Sequence, residues 1–145
     1  MGFRDLANPD VIELLGHSEG ELQALTVKEA SDKADIITIC VGFKQLQNVL
    51  NEIGTQKDKL IIETVNASFD GGKDAAGIIQ AATDSKRIVK AFNSISAENL
   101  DDPVFNGIGA VTFICGGSDD DIRTVTMLAK QSTHQVGKPF INCLT

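Results

Sequence analysis

Six consecutive residues from Ile36 to Val41 are apolar or β-branched, an uninterrupted run that predicts a strand covered on both faces. Leu60 to Val65, Arg87 to Phe92 and Ala110 to Cys115 predict further strands, and Leu22 to Leu25 and Phe140 to Cys143 shorter ones. Between these runs the period changes. Phe43, Leu46, Val49, Leu50 and Ile53 fall on one face of a helix that Gly54 closes. Ala75, Ala76, Ile78 and Ile79 make the apolar stripe of a helix over Lys73 to Ala82. Ile122, Val125, Leu128 and Ala129 do the same behind the cap Ser118-Asp119-Asp120-Asp121, and Ser96 to Leu100 predicts a helical turn. Two further helices are announced by their caps. Asn8-Pro9 starts one that stops at Gly16, and Thr26 with Glu29 three residues on has the capping-box spacing, opening a short helix that ends near Ala34. Buried-type strands alternating with amphipathic helices predict an α/β fold, a doubly wound, mostly parallel, Rossmann-like sheet with helices on both faces.

At 145 residues the chain is expected to form a single domain over 1–145. Lys and Arg number 13 against 20 Asp and Glu, a net charge of −7 with no basic stripe, which argues against nucleic acid as a partner. The longest apolar runs fall far short of the roughly 20 residues that span a bilayer, so no membrane is expected. Gly2-Phe3-Arg4-Asp5 after Met1 has no apolar core of a secretory signal, and the expected location is cytoplasmic. Cys40, Cys115 and Cys143 are far apart in apolar segments and are expected to be small buried hydrophobes in a reducing compartment. His17 and His134 have no ligand partner nearby, and no metal site is expected.

In an open parallel sheet, ligands bind beyond the carboxyl ends of the strands. That directs attention to Val41-Gly42, to Asn66-Ala67-Ser68 and to Ala91-Phe92-Asn93-Ser94. Small residues there let a flat ring approach the backbone, and Asn and Ser can hydrogen-bond an amide or hydroxyl, although each of these polar residues could equally cap the helix that follows it. Arg4, at the turn after Gly2-Phe3, could hold a ribose 2′-phosphate or be a solvated surface residue. No phosphate-cradling loop is complete. Gly107-Ile108-Gly109 precedes a strand where a dinucleotide turn must follow one, and Gly116-Gly117 is followed by three aspartates that would repel phosphate. With no Gly-x-Ser-x-Gly and no Cys-His arrangement, no catalytic nucleophile is indicated. Hydride transfer needs none, because the cofactor carries that chemistry.

The run Lys90-Ala91-Phe92-Asn93-Ser94-Ile95-Ser96-Ala97, the strand from Asp35 to Gly42, Glu63-Thr64-Val65-Asn66 followed by Phe69-Asp70-Gly71-Gly72, and the opening Gly2-Phe3-Arg4-Asp5 together resemble the coenzyme F-420-dependent NADP oxidoreductase family. The same fold serves as the nucleotide domain of six-transmembrane metalloreductases. The resemblance implies an NADP-dependent oxidoreductase that moves hydride between NADP(H) and a small redox substrate or a deazaflavin-type carrier. It implies that Arg4 binds the 2′-phosphate, so that NADP is preferred over NAD. It further implies that Val41, Gly42, Asn66, Ala91, Phe92 and Asn93 line the nicotinamide half of the cleft. Two positions depart from the family: Phe3 stands where Ser or Thr is usual, and Gly42 where Pro is common. Measured against the family order, the sequence starts after the second strand, lacking the first strand–glycine turn–helix unit of roughly 30 residues, and the segment after the last strand is also absent. In the doubly wound order, that unit lies between the Leu22–Leu25 and Ile36–Val41 strands. Either those strands close up or Ile36 to Val41 becomes an apolar edge that recruits another strand, and without the glycine turn no helix N-terminus holds the pyrophosphate; the isolated chain is expected to self-associate, as a homo-oligomer or an aggregate, and to bind NADP weakly at best. The alternative to the enzyme is a non-catalytic Rossmann-like remnant that acts through protein interaction.

Overall fold

The computed structural model describes residues 1–66, 74–94, 104–105, 108–109 and 111–132. The elements run β1 (Gly2–Phe3), α1 (Pro9–His17), β2 (Leu25–Thr26), α2 (Val27–Lys33), β3 (Ile36–Ile39), α3 (Phe43–Ile53), β4 (Leu60–Glu63), α4 (Ala75–Thr83), β5 (Ile88–Lys90), β6 (Val104–Phe105), β7 (Ile108–Gly109), β8 (Cys115–Gly116) and α5 (Asp119–Ser132). The expected helical turn at Ser96 to Leu100 and the strand at Phe140 to Cys143 lie outside the described residues.

Local chemistry starts the helices where the caps predict. The Asn8 side chain accepts the Asp10 N–H at 2.9 Å. Thr26 and Glu29 form the reciprocal box, the Thr26 hydroxyl accepting the Glu29 N–H and the Glu29 carboxylate accepting the Thr26 N–H. Gly54, at φ 65°, ends α3 in the left-handed region that glycine enters without a side-chain clash.

The central sheet has the order β3-β4-β5-β8, with β3, β4 and β5 parallel and β8 antiparallel to β5. One face carries Ile37, Ile39, Ile61 and Ile88 against Leu46, Val49, Leu50 and Ile53 of α3 and Ala75 and Ile79 of α4. The other face carries Leu60, Ile62, Val89 and Ala91 against Val125 and Ala129 of α5. Every residue of β4 is buried, as the centre of a sheet covered on both sides requires. The fold is α/β with a parallel-dominated sheet, as the alternating pattern predicts.

Several expectations shift. Leu22 to Leu25 gives way to Leu25–Thr26, because the ladder there is set by a partner strand, β1, in the Gly2–Phe3 segment, where the pattern predicts no strand. Two residues are too short to carry a period. Of the strand expected over Ala110 to Cys115, Ala110 lies outside the described residues, and Cys115 belongs to β8, which pairs with β5 and runs antiparallel. Ile12 and Leu14 of α1 are exposed, with Val11 alone of that helix buried. Cys40 is exposed, because it follows β3 on the face opposite Ile37 and Ile39, away from α3; Cys115 is buried as expected.

At the amino end of β5, Asp121 is buried and accepts the N–H and hydroxyl of Ser118 through one oxygen, and Nε and Nη2 of Arg87 through the other, at 2.8–3.0 Å. The carboxylate therefore caps α5, a structural role that suits acidic residues at a helix start. Gly117 beside it, at φ 65°, could not carry a Cβ, which would lie 2.8 Å from Val89 Cγ2. Burial pushes the Asp121 carboxyl up, but the Ser118 donors and then Arg87 outweigh it and hold its pKa below the ordinary value. A depressed folded pKa contributes stability that is present above the unfolded-state value and lost as pH falls through the folded one. Asp121→Asn is thus expected to cost about 2 kcal/mol at neutral pH, the scale of hydrogen bonds to a charged group. Urea melts of the two proteins should converge in acid, below the ordinary carboxylate range; a constant difference across the pH range would remove the charge from the explanation.

Candidate functional site

Because β3, β4 and β5 are parallel neighbours, the segments that follow them emerge at one edge of the sheet. Val41-Gly42, Asn66 and Ala91 to Ser94 are therefore brought together. The strand ends are tied to one another by side chains. Thr64 donates both its N–H and its hydroxyl to the Ile39 carbonyl, at 3.4 and 3.0 Å. Lys90 Nζ donates to both Glu63 oxygens, at 3.0 and 2.7 Å, and to the Val65 carbonyl at 2.9 Å. The Phe92 N–H donates to the Thr112 hydroxyl at 3.2 Å.

On this braced edge the Asn93 amide nitrogen donates to the Asn66 carbonyl oxygen at 3.4 Å. The bond is long, and both side chains keep further donors and acceptors for a ligand. Phe92 adopts φ 63°, a left-handed conformation that is uncommon for an aromatic residue and that turns the chain sharply between Ala91 and Asn93. Such strain collects at functional sites and persists only where the surroundings hold it. Gly42 caps α3 through its carbonyl alone, accepting the Gln45 N–H at 2.9 Å. Its φ is ordinary, and an added Cβ would meet only the tip of the Gln45 side chain, so neither conformation nor space demands glycine there. Ala91 has no exposed surface; its methyl belongs to the core beneath the edge.

Arg4 lies apart from this cluster. It pairs with Glu52, Nε to Oε1 at 3.5 Å, in the last turn of the helix that Gly42 begins, both side chains nearly half exposed. An eleven-residue helix is about 16 Å long, so the two ends of α3 mark two separate positions.

Between them runs a groove of about 570 Å³ along β3, with Gly2 and Phe3 of β1 on one side, Ile36 to Val41 on the other, and Ala30, Val49 and Ile53 beneath. β1 and β2 form their own two-stranded sheet, so β3 is the last strand of the central one and the two sheets do not close up. Among the described residues no group of His, Cys, Asp and Glu could hold a metal ion, and no helix is long and apolar enough to cross a membrane.

Sequence reasoning missed the Glu63–Lys90 pair, although a signal existed. Each is the charged residue near the end of an otherwise apolar strand, and they carry opposite signs.

Residues 7–67 match the family of coenzyme F-420-dependent NADP oxidoreductases. That is the family which the strand-end motifs and the opening resemble. No curated protein matches the chain significantly. Among solved structures, a protein assigned as an F-420-dependent NADP-reductase from an Arthrobacter species is 18% identical with a TM-score of 0.74, over 93% of this chain and 70% of that one. A hypothetical protein from Sinorhizobium meliloti is 21% identical with a TM-score of 0.72, over 88% of this chain and 66% of that one. A pyrroline-5-carboxylate reductase from Coxiella burnetii is 15% identical with a TM-score of 0.61, over 89% of this chain and 45% of that one. At these identities the likeness is one of fold: the chain has the Rossmann-like fold of NAD(P)-dependent oxidoreductases. It spans about two thirds of the first two structures and less than half of the third.

Proposed function

We propose that this chain forms the nicotinamide side of an NADP(H)-dependent oxidoreductase site that exchanges hydride with a small redox substrate or a deazaflavin-type carrier. The observation that carries the reading is the pair of amides, Asn66 and Asn93, side by side where three parallel strands end. A carboxamide needs one donor and one acceptor, and two neighbouring asparagines offer both, so the residues present fit a nicotinamide. When bound, the nicotinamide supplies the hydride chemistry; the protein orients it. Asn66 and Asn93 would hold the carboxamide, the turn at Phe92 would set the ring against the edge, and Val41 and Gly42 would leave room beside it. No residue of the chain is required as a nucleophile or a proton donor. The exposed Cys40 thiol suits a reducing compartment and supports a cytoplasmic location.

For the 2′-phosphate, Arg4 supports a preference for NADP over NAD. Its pair with Glu52 is loose and half exposed, of the kind that contributes little to stability and exchanges easily. Arg4→Ala is expected to weaken NADP+ binding about tenfold and leave NAD+ unchanged, the scale of one lost charge-assisted hydrogen bond. Glu52→Gln, which removes the competing carboxylate, should strengthen NADP+ modestly. Calorimetric titration of the parent chain and both variants with each dinucleotide tests this, and equal losses for both dinucleotides with Arg4→Ala would overturn the phosphate role.

A second reading is favoured by the groove and the open edge of β3, which suit pairing with another strand. In that reading the chain works through association, first of all with a second copy of itself. Absence of any dinucleotide binding together with a stable oligomer would favour it over the enzyme.

A further inference from the structure

Glu63 and Lys90 are the last residues of adjacent strands and face each other in register. The Glu63 side chain is 1% exposed and that of Lys90 32%. A buried ion pair gives no general advantage in stability over apolar residues of the same size, and Ile61, Ile62 and Val89 show what these strands otherwise carry. Stability alone therefore does not account for the charges. What the pair does geometrically is more specific. The β4–β5 ladder reaches as far as the Ala91 N–H on the Glu63 carbonyl, at 3.1 Å. Beyond that point, the bridge from β5 to the segment after β4 is the Lys90 ammonium on the Val65 carbonyl. That carbonyl belongs to the peptide linking Val65 to Asn66. An ammonium has three hydrogens, and all three are taken, two by Glu63 and one by Val65, so Lys90 has none to offer a ligand.

We propose that Lys90, held by Glu63, is a positioning residue that fixes Asn66 against Asn93 and so sets the geometry of the strand-end site. Asn93 follows the left-handed turn at Phe92, whose N–H is anchored on Thr112. Each asparagine is thus carried on a backbone segment secured by one side chain: Asn93 through Thr112, Asn66 through Lys90. The carboxylate of Glu63 keeps the ammonium aimed at the carbonyl and leaves the pair without net charge under the site. This inference rests on the reading of that edge as the nicotinamide site, but its geometric half can be tested without a ligand.

The test uses the whole chain with Glu63→Gln and Lys90→Met together, which removes the brace without stranding a buried charge. Two readouts are taken: the side-chain amide NMR signals of Asn66 and Asn93, assigned with Asn66→Asp and Asn93→Asp, and titration with NADP+. Both amide signals are expected to shift and broaden, and the Kd for NADP+ to rise at least tenfold. Lys90→Arg, which can still bridge Glu63 and the carbonyl, is expected to restore the signals and bring the Kd back to within about threefold. Unchanged amide signals and an unchanged Kd in a folded double variant would overturn the proposal and leave the pair a structural one. Should that variant not fold, Glu63→Leu with Lys90→Leu, matched to the neighbouring isoleucines, carries the same test. If the unaltered chain binds no NADP+, the functional reading fails by itself, and the amide signals still decide whether Lys90 positions Asn66.

Discussion

Replacing Lys90 alone with methionine is expected to lower the stability of the chain by about 3 kcal/mol, the low end of what breaking a buried ion pair costs. Methionine fills a similar volume, so the loss comes from what remains. The Glu63 carboxylate, at 1% exposure in the middle of the sheet edge, would lose the Lys90 ammonium that pairs with it, and the Val65 carbonyl would lose its donor. Because the reference is an unpaired buried charge, restoring neutrality should restore stability. Adding Glu63→Gln to Lys90→Met is expected to recover most of the 3 kcal/mol. Urea unfolding of the two single variants and the double one, analysed as a double-mutant cycle, gives the coupling directly. Additive losses would mean that the two side chains do not depend on each other and that their close approach contributes nothing.

This result bears on how much of the molecule could be read in advance. The α3 stripe of Leu46, Val49, Leu50 and Ile53 was legible because one face of a helix meets one sheet face, and periodicity records that. The caps at Asn8 and Thr26 were legible because their hydrogen bonds join residues two or three apart. The three parallel strands and their common edge were legible too, since a strand covered on both faces is apolar throughout and its neighbours through helices must run the same way. What sequence did not disclose are features set by partners distant along the chain. β1 exists only by pairing with Leu25–Thr26, and the antiparallel direction of β8 is fixed by its pairing with β5, which no local pattern records. Cys40 has the composition of a buried position yet is exposed, because burial there depends on a neighbour that the strand itself cannot specify. In the candidate site, Asn66 and Asn93 stand out in the sequence as polar strand ends, whereas the left-handed turn at Phe92 leaves no signal there. Ala91 looked equivalent to them but turns inward, and the braces that hold the edge are residues of the strands themselves.

The open edge of β3 leads to the second large effect: the purified chain is expected to self-associate, and Thr38→Lys is expected to return it to a monomer. β3 is flanked by β4 on one side and by the apolar groove on the other. A strand with one free row of backbone donors and acceptors beside an apolar surface is a template for another strand. The same four residues, Ile36 to Ile39, are offered by every copy, so two copies can pair antiparallel about a twofold axis, each edge satisfying the other. Ile37 and Ile39 are buried against α3, whereas Thr38 points to the opposite, exposed face. A lysine at Thr38 therefore leaves the core untouched and places two like charges close together across the pairing. Sedimentation equilibrium of the chain and of the Thr38→Lys variant, with matched urea midpoints to show that both are folded, separates the outcomes. A monomeric parent chain would mean that β1 and the groove already shield the edge, and an equally associated Thr38→Lys variant would move the contact elsewhere, with the exposed Ile12 and Leu14 of α1 the next surface to alter. If NADP+ binding rises as the oligomer dissociates, the two ligands of this face, strand and dinucleotide, compete for it; if binding falls, the site depends on the second copy.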